Sequence, residues 1–215
     1  MSDAAIPAGI ELRRAVADRL PDLTPRGSSR RDPLEVRCRA FLEKLRWPGG
    51  VACPRCDESN RLHWLESRDK WHCYACRYQF SVTAGTLFHR SHLPLWKWFA
   101  SIHLMTATED GVTALELAEQ IGGSYKSHWF TTHRIRIAMQ RTRVTPLGDA
   151  ERRRPSRTRR RGTVKYRAAY DVEHSWRDAN RANRRAFTDV IRALLEAEPV
   201  SYYQLTRRLP MPLAA

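Results

Sequence analysis

Cys53, Cys56, Cys73 and Cys76 fall as two Cys-x-x-Cys pairs separated by 16 residues. Each pair can fold as a tight knuckle presenting two thiolates, and two knuckles close a tetrahedron around one Zn²⁺. Such a site has no open coordination position, so its expected work is to hold a fold, not to activate water. The competing use of four thiols is a pair of disulfides. The amino terminus, Met-Ser-Asp-Ala-Ala-Ile-Pro, offers neither a basic n-region nor an apolar stretch. That implies a compartment in which thiols stay reduced, and it favours metal. His63 and His72 lie in the same segment, but with four cysteines sufficient they are expected to be ordinary strand residues. Cys38 sits among Leu34, Val36, Phe41 and Leu42 and is expected to be a buried small hydrophobe.

The elements that must position the cysteines are short. Arg61–Trp64, Lys70–His72 and Tyr78–Val82 read as β-like runs. They follow a helix expected from Asp32, with Leu34, Cys38, Phe41, Leu42 and Leu45 at helical spacing, which Trp47-Pro48-Gly49-Gly50 ends. Beyond the cysteines the pattern turns helical. Pro94 suits a first helical position, and Leu95, Trp98, Phe99 and Ile102 follow the i, i+3, i+4, i+7 rule. Thr113 to Glu116 forms a capping box for a second helix with Ala114, Leu117, Ala118 and Ile121 on one stripe. Gly122-Gly123-Ser124 is a turn, and a third helix is expected from Tyr125 to Arg141.

Three helices with a glycine turn before the last match the helix-turn-helix pattern. On a helical wheel, Tyr125, Trp129, Phe130, His133 and Ile137 gather on one side as a docking face. Ser124, Ser127, His128, Thr131 and Arg134 gather on the other, where a recognition helix would meet the major groove.

Charge points the same way. Among 215 residues, 38 Lys and Arg stand against 23 Asp and Glu, a formal charge of +15. Eleven of those basic residues lie between 141 and 167, against only Asp149 and Glu151, a stretch expected to be disordered unless bound. Such an excess concerns partners, and polyanions come first. No run of about 18 apolar residues exists to span a membrane, and no segment is a clean basic amphipathic helix for a membrane surface.

Trp47 to Cys56, then Trp71 to His89, with Val82-Thr83-Ala84-Gly85-Thr86 following the second knuckle, resembles the zinc-ribbon insertion-sequence transposases of bacteria. Leu93 to Phe99 and Thr113 to Arg136 are similar to the helical DNA-binding part of those proteins, so the resemblance covers roughly 32–143. It implies an RNase-H-like domain whose acidic triad holds two divalent metals for strand cleavage and transfer. No counterpart to that domain is found after Gln140: the arginine run stands in its place, and only Thr163 to Tyr166 resembles a strand. Tyr166 to Leu205 weakly resembles the tail that follows the catalytic core. Asp171 and Glu173 are a tempting acidic pair, but two carboxylates two apart on a helix are expected on a solvated face.

The expected fold is mostly α with a small β zinc ribbon, followed by a helix-turn-helix three-helix unit, a basic linker and C-terminal helices. The boundaries are a flexible arm over 1–31 that opens with a short helix from Ile10 to Leu20, helix plus ribbon over 32–90, helix-turn-helix over 91–143, linker over 144–165 and helical tail over 166–215. The expected function is zinc-dependent recognition of double-stranded DNA at transposon ends by an internally deleted transposase remnant. The alternatives are an active transposase and a zinc-ribbon protein-interaction module. Zinc falls to Cys53, Cys56, Cys73 and Cys76; groove contacts to Lys126, Ser127, His128, Thr131 and Arg134; phosphate contacts to Arg152, Arg153, Arg154, Arg157, Arg159, Arg160 and Arg161. Full-length transposase or a second copy is the expected protein partner, and the bacterial cytoplasm, at the nucleoid, the expected location.

Overall fold

The computed structural model describes residues 9–23, 32–108, 111–142 and 166–206. They divide into two compact units, Met1–Ala100 with Leu195–Pro199, and Ser101–Leu194 with Val200–Ala215. This division falls inside a helix.

In the first unit, α1 (Gly9–Asp18) lies within the stretch expected to be a flexible arm, yet its Leu12 and Val16 are fully buried. It is fixed to α2 (Pro33–Arg46) at both ends. Arg13 pairs with Asp32 at 2.7 Å, and Arg37 donates to the Ala17 and Leu20 carbonyls at 3.1 and 3.3 Å. The second contact places a cation at the carboxyl end of α1, where the Ala17 carbonyl also accepts from the Leu20 N–H at 3.1 Å. Asp32 also caps α2, its carboxylate accepting from the Leu34 N–H, with Pro33 in the first turn.

The sheet has three antiparallel strands in the order β1 (Leu62–Leu65), β2 (Lys70–Cys73), β3 (Gln79–Phe80). Leu62 pairs with Cys73, Trp64 with Trp71, and Trp71 with Phe80. Two strands of four residues and one of two cannot make a stable sheet alone. Cys53, Trp71, Cys73, Phe80 and Ala84 form its core, with Trp47, Trp64 and Tyr78 against it. Helix α2 anchors this small body twice: Arg39 pairs with Asp69 in the β1–β2 turn at 2.6 Å, and Arg46 donates to the Val82 carbonyl at 2.5 Å. Asp69 sits at φ 49°, the left-handed residue that closes the turn.

Helix α3 (Leu95–Ala107) starts one residue after Pro94, so the proline precedes the helix. Its first N–H groups, at Leu95 and Trp96, donate to the two carboxylate oxygens of Glu35 on α2, at 2.8 and 3.0 Å. A glutamate some 60 positions away thus performs the capping that no local residue supplies. Phe41 meets Phe99 edge-on at 6.1 Å, and Phe88 meets Trp98 at 4.8 Å.

In the second unit, α4 (Ala114–Ile121) begins with the Thr113–Glu116 capping box, both reciprocal bonds formed. Gly122 and Gly123 turn the chain at φ 65° and 115°, values that glycine adopts without strain. Ser124 then caps α5 (Tyr125–Arg141), accepting from the Ser127 N–H at 3.1 Å. Helices α6 (Arg167–Ala179), α7 (Ala186–Glu196) and α8 (Tyr202–Thr206) follow. Helix α5 packs against α4, α6 and α8.

One ion cluster lies at the centre of α5–α6 packing. Glu173, 3% exposed, accepts from Arg136 Nε at 2.6 Å and from Arg177 at 2.5 Å. The expectation of a solvated Asp171–Glu173 pair is overturned for Glu173: its carboxylate is spent on two guanidiniums. Gly111 lies against this cluster, where a Cβ would strike the Arg177 guanidinium and come within 2.7 Å of Glu173.

Candidate metal centre and nucleic-acid interface

Both knuckles are built alike. The Cys53 N–H donates to the Glu58 carbonyl and the Cys73 N–H to the Tyr78 carbonyl, each five residues on and each at 2.9 Å. The residue after the second cysteine of each pair, Asp57 or Arg77, takes a positive φ, 56° or 59°. The left-handed residue turns the chain back, so both thiols of a pair face one point. The repeated position was visible in the sequence, although neither residue is the glycine or asparagine that usually marks such a turn.

Together the knuckles bring the four Sγ atoms within 4.8 Å of one another. Cys53 lies 3.6 Å from Cys76, and Cys56 lies 3.6 Å from Cys73. A disulfide requires about 2.05 Å, so the paired-disulfide alternative does not apply and all five cysteines are free thiols. Tetrahedral thiolate coordination with bonds of about 2.3 Å sets its sulfurs about 3.8 Å apart, close to the 3.6 Å of the two pairs above. The donor set fits one thiolate-bound metal ion.

Proton affinity is uneven among the thiols. Desolvation raises Cys76, but the Tyr78 N–H and the Cys56, Cys53 and Cys73 thiols outweigh it and leave Cys76 lowered to about 7. Desolvation pushes Cys53 up. Metal binding must displace whatever protons the thiols hold. Cys38 stands apart: it is fully buried and its thiol is pushed far up by desolvation, as expected of an inert core residue. His63 and His72 pair across β1 and β2 and lie against the Tyr74 ring, outside the thiol cluster.

Most of the expected reading face of α5 is buried. His128 is fully buried and its Nε2 bonds the Gly122 carbonyl at 3.0 Å, closing the turn before its own helix. Thr131 is 2% exposed. Arg134, 3% exposed, donates to the Val200 carbonyl at 2.9 Å and lies over the Phe130 ring at 4.0 Å; burial lowers its guanidinium to about 10. The physical reason is enclosure: α4, α6 and α8 surround α5, so the face assigned to DNA faces protein. Tyr125, 56% exposed and assigned to the docking face, points outward instead.

What stays exposed on α5 is its first turn, Tyr125, Lys126 and Ser127, and its last residue, Arg141. The Lys126 ammonium sits 5.2 Å over the Tyr202 ring of α8, and the Ser127 hydroxyl bonds that of Ser124 at 2.9 Å. Arg152, Arg153, Arg154, Arg157, Arg159, Arg160 and Arg161 lie outside the described residues.

Residues 33–79 match the family described as the transposase zinc-ribbon domain. Over 119 residues the chain is 27% identical to the "Uncharacterized protein in transposable element ISH50" of Halobacterium salinarum. That match covers 54% of this chain and 40% of the relative. No solved structure matches the chain. The stretch expected to resemble a transposase ribbon therefore does so, and all four thiols lie within the matched residues. Among the described residues, no helix is long and apolar enough to cross a membrane.

Proposed function

We propose that this chain is a zinc-dependent, transposase-related protein that binds duplex DNA at transposon ends, as a remnant that has lost the catalytic part between its helices. The observation that carries this reading is the four-thiol cluster inside the stretch matching a transposase zinc-ribbon domain. Zn²⁺ suits four thiolates in a closed tetrahedron, where it stabilises the ribbon and leaves no position for substrate. The glycine turn and the exposed first turn of α5 support a helix-turn-helix role, because such motifs read bases mainly from the amino-terminal residues of the recognition helix. Lys126 and Ser127 keep the reading role expected of them, with Tyr125 added. His128, Thr131 and Arg134 are withdrawn from it.

Arg152 to Arg161 are assigned to phosphates, which fix position without selecting sequence. Strand cleavage by two metals needs converging carboxylates. Glu173 is already committed to Arg136 and Arg177, so Asp171 and Glu173 do not make such a pair.

The test is fluorescence anisotropy with duplexes drawn from the DNA flanking the gene and with shuffled duplexes, over a salt series, with and without a zinc chelator. The flanking duplex should bind more tightly, and chelation should weaken binding. Replacing the seven arginines by Gln should flatten the log–log salt dependence by about 0.9 for each phosphate no longer neutralised. Equal affinity for all duplexes, unchanged by chelation, would overturn the reading. So would Mg²⁺-dependent nicking of the flanking duplex that a mock purification lacks.

A further inference from the structure

Beside the second knuckle lies an open groove of about 610 Å³, lined by Asn60, Arg61, Leu62, His72, Tyr74 and Arg77. That is within the size of clefts that hold nucleotide-sized ligands, about 300–1,000 Å³. We propose that this groove takes an unpaired nucleotide of single-stranded DNA, its base stacked on Tyr74 and its flanking phosphates held by Arg61 and Arg77. The proposal rests on the nucleic-acid reading above but names a different surface and a different form of DNA.

Tyr74 lies between Cys73 and Cys76, so its backbone belongs to the metal knuckle. Its N–H also donates to the Arg61 carbonyl at 2.9 Å. The residue is nonetheless 55% exposed. His72 meets its ring edge-on, with centroids 5.0 Å apart and planes at 83°. A rigid backbone carrying an outward aromatic ring braced by a second ring is a platform, not a loose side chain.

Neither Arg61 nor Arg77 forms an ion pair with a described residue. Glu58, in the same loop, accepts from the Asn60 and Arg61 N–H groups at 2.8 and 3.2 Å and interacts with the Arg61 guanidinium through charge alone. The groove therefore offers two guanidiniums and a stacking ring, with the Asn60 amide available to a base edge. In a duplex the base faces are covered by their neighbours and only edges are presented, so a ring platform suits an unstacked base. An acidic peptide would match the guanidiniums but gives Tyr74 no planar partner.

The test uses the full-length zinc-loaded chain and a labelled 12-nucleotide oligothymidine, with a 12-base-pair duplex as the control. Tyr74→Ala should weaken oligothymidine binding by roughly 5- to 150-fold, the effect of removing one stacked base. Tyr74→Phe should restore it, and duplex affinity should hold. Arg61→Gln and Arg77→Gln should each lower the single-strand salt slope by about 0.7. Zinc content of each variant reports whether the knuckle survives. Irrespective of any variant, a 5-iodouridine strand should photocrosslink to the peptide holding Tyr74. Oligothymidine affinity within twofold of the parent in zinc-loaded Tyr74→Ala, or a crosslink elsewhere, would overturn the proposal. Loss of duplex binding alone would instead count against the function proposed for the helices.

Discussion

The ribbon and the α4–α6 helices solve the problem of a polar chain in opposite ways. The ribbon pairs strands of two to four residues around a core of Cys53, Trp71, Cys73, Phe80 and Ala84. So little apolar area does little to offset the cost of ordering the ribbon, and the four-thiol cluster offers a metal ion a place to add to it. The helices draw on side-chain packing. They bury Leu117, Ile135, Met139 and Trp176, and they enclose a charged cluster, Arg136–Glu173–Arg177, whose carboxylate is engaged on both oxygens. The comparison separates two uses of buried polar atoms. In one unit they await an external partner; in the other they specify which helices meet.

The largest expected effect breaks the ribbon alone. Cys73→Ser should lower bound zinc from about one per chain to none, removing metal-linked folding energy on the order of 10 kcal/mol. Elemental analysis would show the missing metal. Quenched or red-shifted emission from Trp64 and Trp71, with helical circular dichroism largely kept, would show that the damage is confined. A variant that keeps its zinc contradicts the four-thiol site.

The helical unit breaks differently. Glu173→Gln leaves two buried guanidiniums without their carboxylate and should cost about 3–5 kcal/mol in chemical denaturation. Replacing all three members with apolar residues of similar volume should cost much less, because no charge is left stranded. Equal losses for the two variants would mean that packing volume, not charge pairing, sets the cost.

The smallest effect is a pH dependence. Desolvation, reinforced by Arg136, lowers His133 to about 3, and the ring is enclosed by Trp129, Tyr166 and Tyr170. Between about pH 6.5 and 3 the unfolded chain therefore binds a proton at His133 that the folded chain refuses. Stability falls as pH falls through that window, by about 2 kcal/mol from pH 7 to pH 5. His133→Gln should flatten this part of the stability–pH curve in urea titrations; an unchanged slope would assign the dependence to other groups.

Much of the local structure was legible. The capping box at Thr113–Glu116 and the glycine turn place α4 and α5 within a residue or so of their observed limits, because capping and turns are settled by neighbours in sequence. The cysteine spacing likewise placed the metal site, since a knuckle is closed by bonds spanning five residues. The division of α5 into a docking face and a reading face was not legible. A helical wheel assumes one partner, and α5 packs against α4, α6 and α8.

Sequence by itself determined the thiol tetrahedron, the caps and the positions of the helices, each governed by contacts a few residues long. Tertiary structure decided what the side chains on those helices are for. Glu35 caps a helix that begins at Leu95, and Glu173 neutralises an arginine 37 positions earlier in the chain. Arg134 bonds a carbonyl 66 positions away. An arginine or glutamate on a wheel looks the same whether solvent, DNA or another helix lies opposite. Only the packing of distant segments sets the local dielectric and the available partner, and these determine whether a charge is a reader, a clamp or a cap.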